Sequence, residues 1–249
     1  MKVRLDKLLL ERGLAGSRER AQALILEGKV LVDEQKIEKC GTVVSDHASI
    51  RLLDGDLKYV SRGGLKLEKA LQHWQIDVSR KVCIDVGAST GGFTDCLLQH
   101  GAARVIAVDT GHGQIDFRLR QDARVNLLEK TNARYLTREQ LGQTADLVVM
   151  DVSFISATLV IPAMVAAAFP SASTERAGRQ IIVLVKPQFE AGREHVGKGG
   201  IVRDEAAQLA AVNKVRQSLL QQGCAQTDAI DSPILGAEGN REFLVRGNF

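Results

Sequence analysis

Two lysines and two carboxylates, Lys66, Asp151, Lys186 and Glu242, stand far apart in a chain of 249 residues, yet each sits in a context suited to a reaction centre. Lys66 follows Ser61-Arg62-Gly63-Gly64-Leu65. Asp151 ends the apolar run Leu147-Val148-Val149-Met150, Lys186 ends Ile181-Ile182-Val183-Leu184-Val185, and Glu242 opens Phe243-Leu244-Val245. Three of the four therefore border segments that read as buried strands, and open α/β sheets bind their ligands at strand ends. Such a set is suited to acid–base work on a hydroxyl. An alcohol is a poor nucleophile at neutral pH. A lysine takes its proton only if burial or a nearby cation lowers the lysine pKa from ~10.4. Lys186 is the candidate base. Lys66 would supply the neighbouring positive charge and orient the oxygen, while Asp151 and Glu242 would hold the lysines and balance charge. Taken singly, each residue reads equally as a salt-bridge partner; their joint placement makes the hypothesis.

A glycine turn lies between Lys66 and Asp151. Asp85-Val86-Gly87-Ala88-Ser89-Thr90-Gly91-Gly92-Phe93 follows the strand Val82–Val86 and leads into a helix through Thr94–Gln99. Glycines there let the backbone approach a nucleotide-like ligand. Ser89 replaces the second Gly of Gly-x-Gly-x-x-Gly, which weakens a dinucleotide reading. Asp109 ends the next strand, Arg104–Asp109, 22 residues after Gly87, where an acid meets ribose hydroxyls. Turn and acid together favour S-adenosylmethionine over a nicotinamide cofactor. The bland alternative is a structural turn without ligand.

The elements that must position these residues alternate. Further strands are expected at Leu147–Asp151, Ile181–Lys186 and Phe243–Arg246, with a long helix over Asp204–Gln222. Alternation of this kind predicts an α/β fold, a mostly parallel Rossmann-like sheet covered on both faces. The stretch Val152–Thr174 carries no charge and is long enough to span a bilayer. Prolines at 162 and 170 and several Ser and Thr residues interrupt it, so a buried crossover helix near Ser156–Phe169 is the better reading. Before this domain, residues 59–65 read as a connector, with paired glycines as a hinge. Residues 1–58 form a separate small α+β module. Leu5, Leu8, Leu9 and Arg12 have helical spacing closed by Gly13, and Ser17 caps a second helix with Ala21, Leu24 and Ile25 on its apolar stripe. Val30–Asp33 and Ala48–Leu53 read as strands, followed by an Asp54-Gly55 turn. The expected domains are thus 1–58 and 66–249, joined by 59–65.

Composition is ordinary for a globular chain, 45% hydrophobic and 25% charged, with a net charge of +3. The basic residues are uneven: Lys2, Arg4, Lys7, Arg12, Arg18 and Arg20 face only Asp6, Glu11 and Glu19 in the first twenty residues. That excess fits a solvated helical face or an RNA-facing patch. Cys40, Cys83, Cys96 and Cys224 form no Cys-x-x-Cys pair and no His cluster joins them, so neither a metal site nor a disulfide framework is expected, and a reducing cytoplasm fits. Met1–Lys7 has no apolar signal core.

At this point a resemblance is plain. Arg4-Leu5-Asp6, Leu9, Gly13, Ser17-Arg18, Ala21, Ile25 and Gly28-Lys29-Val30-Leu31-Val32 resemble the S4 domain. The resemblance implies RNA binding by the face of the two helices, with Arg4, Lys7, Arg18 and Arg20 as phosphate-contact candidates; Arg4 and Asp6 also read as an internal pair. Ser-Arg-x-x-x-Lys-Leu, Asp-x-Gly-Ala-x-x-Gly-Gly-Phe, Asp151, Val185-Lys186 and Arg241-Glu242 resemble the FtsJ-like ribose 2′-O-methyltransferases and their Lys-Asp-Lys-Glu tetrad. With an S4 domain in front, nearly the whole chain resembles the TlyA family, also called hemolysin A. This implies S-adenosylmethionine-dependent 2′-O-methylation of ribosomal RNA on cytidine, with ribosomal RNA or ribosomal subunits as partners and no stable membrane association. It also implies cofactor contacts at Gly87, Ser89, Gly91, Gly92, Phe93, Asp109 and Asn132. Thr90 stands where the FtsJ group usually has Pro, and Asn132 where many methyltransferases have an acid.

Other methyl-transfer chemistries fit less well. Base amino groups are usually methylated through an Asn/Asp-Pro-Pro-aromatic loop, whereas this chain has Asp151-Val152-Ser153-Phe154. Carbon-5 methylation needs a cysteine nucleophile, and no cysteine is well placed. Gly192–Gly200 is a basic, glycine-rich loop that reads as a flap ordering on RNA or as a plain connection. Two rival classes stand beside the enzyme: a membrane-active hemolysin-like protein, and an inactive ribosome-binding factor.

Overall fold

The computed structural model describes residues 2–53, 58–170, 172, 175–236 and 239–249. The expected Asp54-Gly55 turn lies outside the described residues. The chain divides into two compact units, Met1–Leu57 and Lys58–Phe249.

In the first unit, β1 (Lys2–Arg4) runs into α1 (Leu5–Glu11), and α2 (Arg18–Leu26) follows. The expected cap is present: the Arg20 amide donates to Ser17 Oγ at 3.2 Å, which satisfies one otherwise unpaired helix-terminal amide. Then come β2 (Val30–Val32), β3 (Gln35–Ile37), β4 (Val43–Ser45) and β5 (Ile50–Leu52). Strands β3-β2-β5 form one small sheet, and β1 pairs antiparallel with β4. Leu5, Leu9, Ala21, Ile25 and Val30 are fully buried between helices and strands. Strands β1, β3 and β4 were not expected, because three residues with mixed exposure carry almost no period-two signal.

The second unit opens with α3 (Gly63–His73), β6 (Val82–Val86), α4 (Gly92–Gln99), β7 (Arg104–Val108), α5 (Phe117–Gln121) and β8 (Val125–Leu128). It continues with α6 (Arg138–Leu141), β9 (Leu147–Met150), α7 (Ile161–Ala168), β10 (Gln180–Val185), α8 (Pro187–Glu190), α9 (Glu205–Gln221), β11 (Gln226–Asp231) and β12 (Phe243–Asn248). Gly63 and Gly64, which read as a hinge, open α3, and Tyr59 is buried with its ring against Gly64, where a Cβ would collide. The strands form one sheet in the order β11-β12-β10-β9-β6-β7-β8. All neighbours from β8 to β10 are parallel, and β12 alone is antiparallel to both β10 and β11.

Alternate residues of the central strands feed two cores. Ile84, Val148 and Val183 pack on one face with α7 and α9, while Cys83, Val149 and Leu184 pack on the other with α3 and α4. Burial on both faces explains the uninterrupted apolar runs in the sequence. The expected crossover helix is present in two pieces, a 3₁₀ turn at Ala157–Leu159 and then α7. Pro162 sits in the first turn of α7, where its missing N–H costs no hydrogen bond. Among the described residues no helix is long and apolar enough to cross a membrane.

Candidate active site

The chain leaves β6 toward β7 and returns on the other side of β6 as β9. This reversal opens a crevice at the strand ends, where doubly wound folds bind ligands. Gly87 and Asp151, the residues just after β6 and β9, flank it. Gly87 adopts φ +85°, and a Cβ there would run into the Asp151 carbonyl. Only glycine allows this close approach. Asp109 braces the turn from the end of β7. Its Oδ2 accepts the Ser89 amide at 2.7 Å and its Oδ1 accepts the Gly111 amide at 2.6 Å. The resulting cleft of about 560 Å³ is lined by Gly87, Ser89, Asp109, Asn132, Asp151 and Ser153, among others. A cradle closed to side chains, with an acid at the next strand end, fits a nucleoside-bearing cofactor. Asn132 also caps the short 3₁₀ turn after it, its Oδ1 accepting the Arg134 amide at 3.0 Å.

Gly91, Gly92 and Phe93, also expected at the cofactor, do not line this cleft. Gly92 and Phe93 line a neighbouring cavity, and Phe93 is buried in the core. Gly91 lines neither cavity and is covered by Leu119 and Ile115. Helix α4 begins at Gly92, so these residues turn inward to carry it onto the sheet. Asp85, which the sequence did not single out, is wholly buried beneath the turn. Its Oδ2 accepts Thr94 Oγ1 at 2.7 Å, and burial pushes its pKa up to about 7.

The second cavity, about 250 Å³, shares Gly87, Ser89 and Asp151 with the cleft and is also lined by Ser61, Arg62, Lys66 and Leu235. The four dispersed ionisable residues form two pairs; Lys66 and Asp151 line this cavity, while Lys186 and Glu242 line neither cavity and stand behind them as partners. Lys66, in the first turns of α3, donates to Glu242 Oε2 at 2.5 Å. Lys186 lies 2.6 Å from Asp151 Oδ1. The antiparallel β12 makes this possible: Phe243 pairs with Val185, so Glu242 arrives at the edge from which Lys186 leaves. Each lysine has its own carboxylate. Glu242 offsets the charge of Lys66.

Two further groups escaped the sequence reading. Lys186 Nζ donates to Ser153 Oγ at 2.7 Å, fixing the ammonium between a hydroxyl and a carboxylate. Phe154 adopts φ +64°, is 92% exposed, and lines the cleft with its ring centroid 5.3 Å from that of Phe189. A bulky residue in the left-handed region is strained, and such strain gathers at functional sites. Its only sequence signal was its place three residues after Asp151. The cysteines behave as expected of structural thiols: burial pushes Cys83 and Cys96 up to about 12 and Cys224 up to about 11. Their thiolates are suppressed, which makes them poor nucleophiles. His195 is half exposed beside Glu194 and Asp204, away from the residues lining the two cavities.

In the first unit, Arg4 and Arg18 both bond Asp6, at 2.9–3.0 Å and 3.1 Å. Lys7 pairs loosely with Glu11 at 3.6 Å. Arg20 is not in this cluster; its side chain meets no partner among the described residues.

Known proteins match this organisation. The family model for FtsJ-like methyltransferases matches residues 59–249, and that for the S4 domain matches residues 3–50. The 16S/23S rRNA (cytidine-2′-O)-methyltransferase TlyA of Mycobacterium tuberculosis is 44% identical over 98% of this chain and 89% of its own length. Hemolysin A of Brachyspira hyodysenteriae is 40% identical over 98% of both. A solved structure from Streptococcus thermophilus superposes with a TM-score of 0.74 at 40% identity, over 99% of this chain and 88% of the other. The chain belongs to the TlyA (hemolysin A) family, an S4 domain followed by an FtsJ-like, S-adenosylmethionine-dependent methyltransferase domain.

Proposed function

We propose that this protein transfers a methyl group from S-adenosylmethionine to the 2′-hydroxyl of a cytidine in ribosomal RNA. The observation that carries the reading is the position of Asp151. It lies between the nucleoside-shaped cleft and the polar cavity, lines both, and holds Lys186. A reaction that joins two bound molecules needs its acid–base group at such a boundary. The similarity to a cytidine-2′-O-methyltransferase supports the substrate class.

When bound, the cofactor supplies a methyl group on a positively charged sulfur. Lys186 would take the proton of the ribose hydroxyl as its oxygen becomes the methyl acceptor. Asp151 and Ser153 Oγ hold the Lys186 nitrogen in place for that role. Lys66, fixed by Glu242, directs its remaining N–H groups at the oxygen from the cavity side. Gly87 lets the donor approach, and Asp109 suits the ribose of the cofactor. The exposed ring of Phe154 offers a face on which an unpaired base can stack, the common mode of single-stranded RNA recognition.

The test deletes the acceptor atom. An RNA substrate with one 2′-deoxycytidine at the target should bind nearly as well but accept no methyl group. Alkaline digestion of the normal product should leave an uncut dinucleotide, because 2′-O-methylation removes the internal nucleophile. Methylation of the deoxy substrate, or label on the base, would overturn the ribose assignment.

A further inference from the structure

We propose that Asp6 is a positioning residue that fuses Arg4 and Arg18 into a single fork for one RNA phosphate. The inference rests on the reading of the first unit as an RNA-binding module and goes beyond it by naming the site and its stoichiometry.

Asp6 lies in the first turn of α1, and its carboxylate is fully buried. A buried charge is retained only when paired and hydrogen-bonded. Asp6 is saturated. Oδ1 accepts Arg4 Nε at 3.0 Å and the Lys7 amide at 3.0 Å, while Oδ2 accepts Arg4 Nη2 at 2.9 Å, Arg18 Nε at 3.1 Å and Gln22 Nε2 at 3.0 Å. These bonds draw its pKa well below the ordinary carboxylate range, with the Arg4 side chain the largest cause.

The two guanidiniums differ from the carboxylate beneath them. Their side chains are 47% and 54% exposed. Arg4 uses Nε and Nη2 on Asp6, and Arg18 uses only Nε. Arg4 Nη1 and both terminal nitrogens of Arg18 carry N–H groups that meet no acceptor among the described residues. Two cations on one anion leave a net charge of +1, directed to the solvent side. Arginine keeps its charge at any working pH and matches phosphate oxygens with its planar fork. The shared carboxylate holds both forks in place before a ligand arrives, so less side-chain entropy is lost on binding. One phosphate bridging both forks matches the net charge of +1 on the cluster and uses the N–H groups that Asp6 leaves free.

The test uses the full chain and a fluorescently labelled RNA stem–loop, with affinity measured against salt. Each phosphate neutralised contributes about one unit of slope. Arg4→Ala, Arg18→Ala and the double variant should each lose about one unit and no more, because all three empty the same site. A loss of about two units in the double variant would overturn the shared site. Asp6→Asn separates positioning from charge. It removes a negative charge, so electrostatics alone predicts tighter binding; the fork predicts weaker binding, by several-fold. Tighter or equal binding by a folded Asp6→Asn protein would overturn the positioning role. Should Asp6→Asn not fold, Arg18→Lys keeps the charge but loses the Nε bond to Asp6, and an affinity equal to that of the parent would overturn the fork. If none of the arginine variants changes RNA affinity, the RNA-binding reading of this unit itself fails.

Discussion

Both units pair cations with buried carboxylates, and the two arrangements have opposite uses. In the first unit Asp6 is buried while Arg4 and Arg18 remain about half exposed. In the second, Lys66 and Lys186 are only 11% and 12% exposed, against Glu242 and Asp151 at 2% and 22%. Arginine cannot give up its proton in a protein, so an exposed arginine serves as a permanent charge. Lysine can lose its proton when desolvated, so an enclosed lysine can exchange one with a substrate. Residue type and depth together separate a group suited to holding a phosphate from one suited to moving a proton. The two lysine pairs also differ. Lys66–Glu242 joins a helix to a strand end with Lys66 lining one cavity, whereas Lys186 adds a hydroxyl partner and its carboxylate faces both cavities.

The sharpest way to break this comparison is Lys186→Ala. Turnover should fall by about 10²–10⁴-fold, the usual contribution of a general base, while donor affinity measured by calorimetry stays near that of the parent. Unchanged turnover would reduce Lys186 to an ordinary ion pair. Glu242→Ala asks whether the enclosed pair is structural as well. Removing one partner of a buried pair strands the other charge and typically costs roughly 3–5 kcal/mol. Lys66 is slightly exposed, so the low end, about 3 kcal/mol, is expected in urea unfolding. A stability loss under about 1 kcal/mol would show that water reaches Lys66 easily.

Asp109→Ala should raise the KM for the donor by about tenfold, because the loss of one or two hydrogen-bonding roles is worth roughly 1–2 kcal/mol. Its effect on turnover at saturating donor should be small. Donor binding unaffected by the change would place the nucleoside elsewhere.

A separate, pH-dependent effect concerns Asp85, for which the described residues offer no cation partner. Its pKa is raised in the fold to about 7 from 3.8, first by burial. The folded state therefore binds the proton more tightly than the unfolded state. The stability from this group is complete below about pH 4, falls as pH rises toward about 7, and is flat above that. Asp85→Asn should remove this dependence, so that parent and variant differ most above pH 7. Parallel stability curves for parent and variant across pH 4–8 would show that the buried carboxyl does not titrate in that window.

Much of this organisation was legible because it is local. The central strands are buried on both faces, and their runs Val82–Val86, Leu147–Met150 and Ile181–Val185 read directly as apolar segments. Ser17 was legible as a cap because capping involves an amide three residues away. The edge strands β8 and β11 were not: each is only partly buried, and Asn126, Asp228 and Asp231 break the pattern. The start of α3 was read as a hinge because glycine pairs normally mark one; here Gly64 is needed for contact with Tyr59.

By itself, the sequence determined the residue types and their places at strand ends: a glycine turn after β6, an acid after β7, Asp151 after β9, Lys186 after β10 and Glu242 before β12. These follow from patterns within a few residues, since side-chain period and turn chemistry are local properties. Only the tertiary structure decided which lysine faces which carboxylate, that Ser153 bonds Lys186, and that Asp6 collects two arginines. Those partnerships span 176 residues in one case and 12 in another. They are set by the antiparallel turn of β12 and the packing of α1 on α2, which no local window of sequence contains.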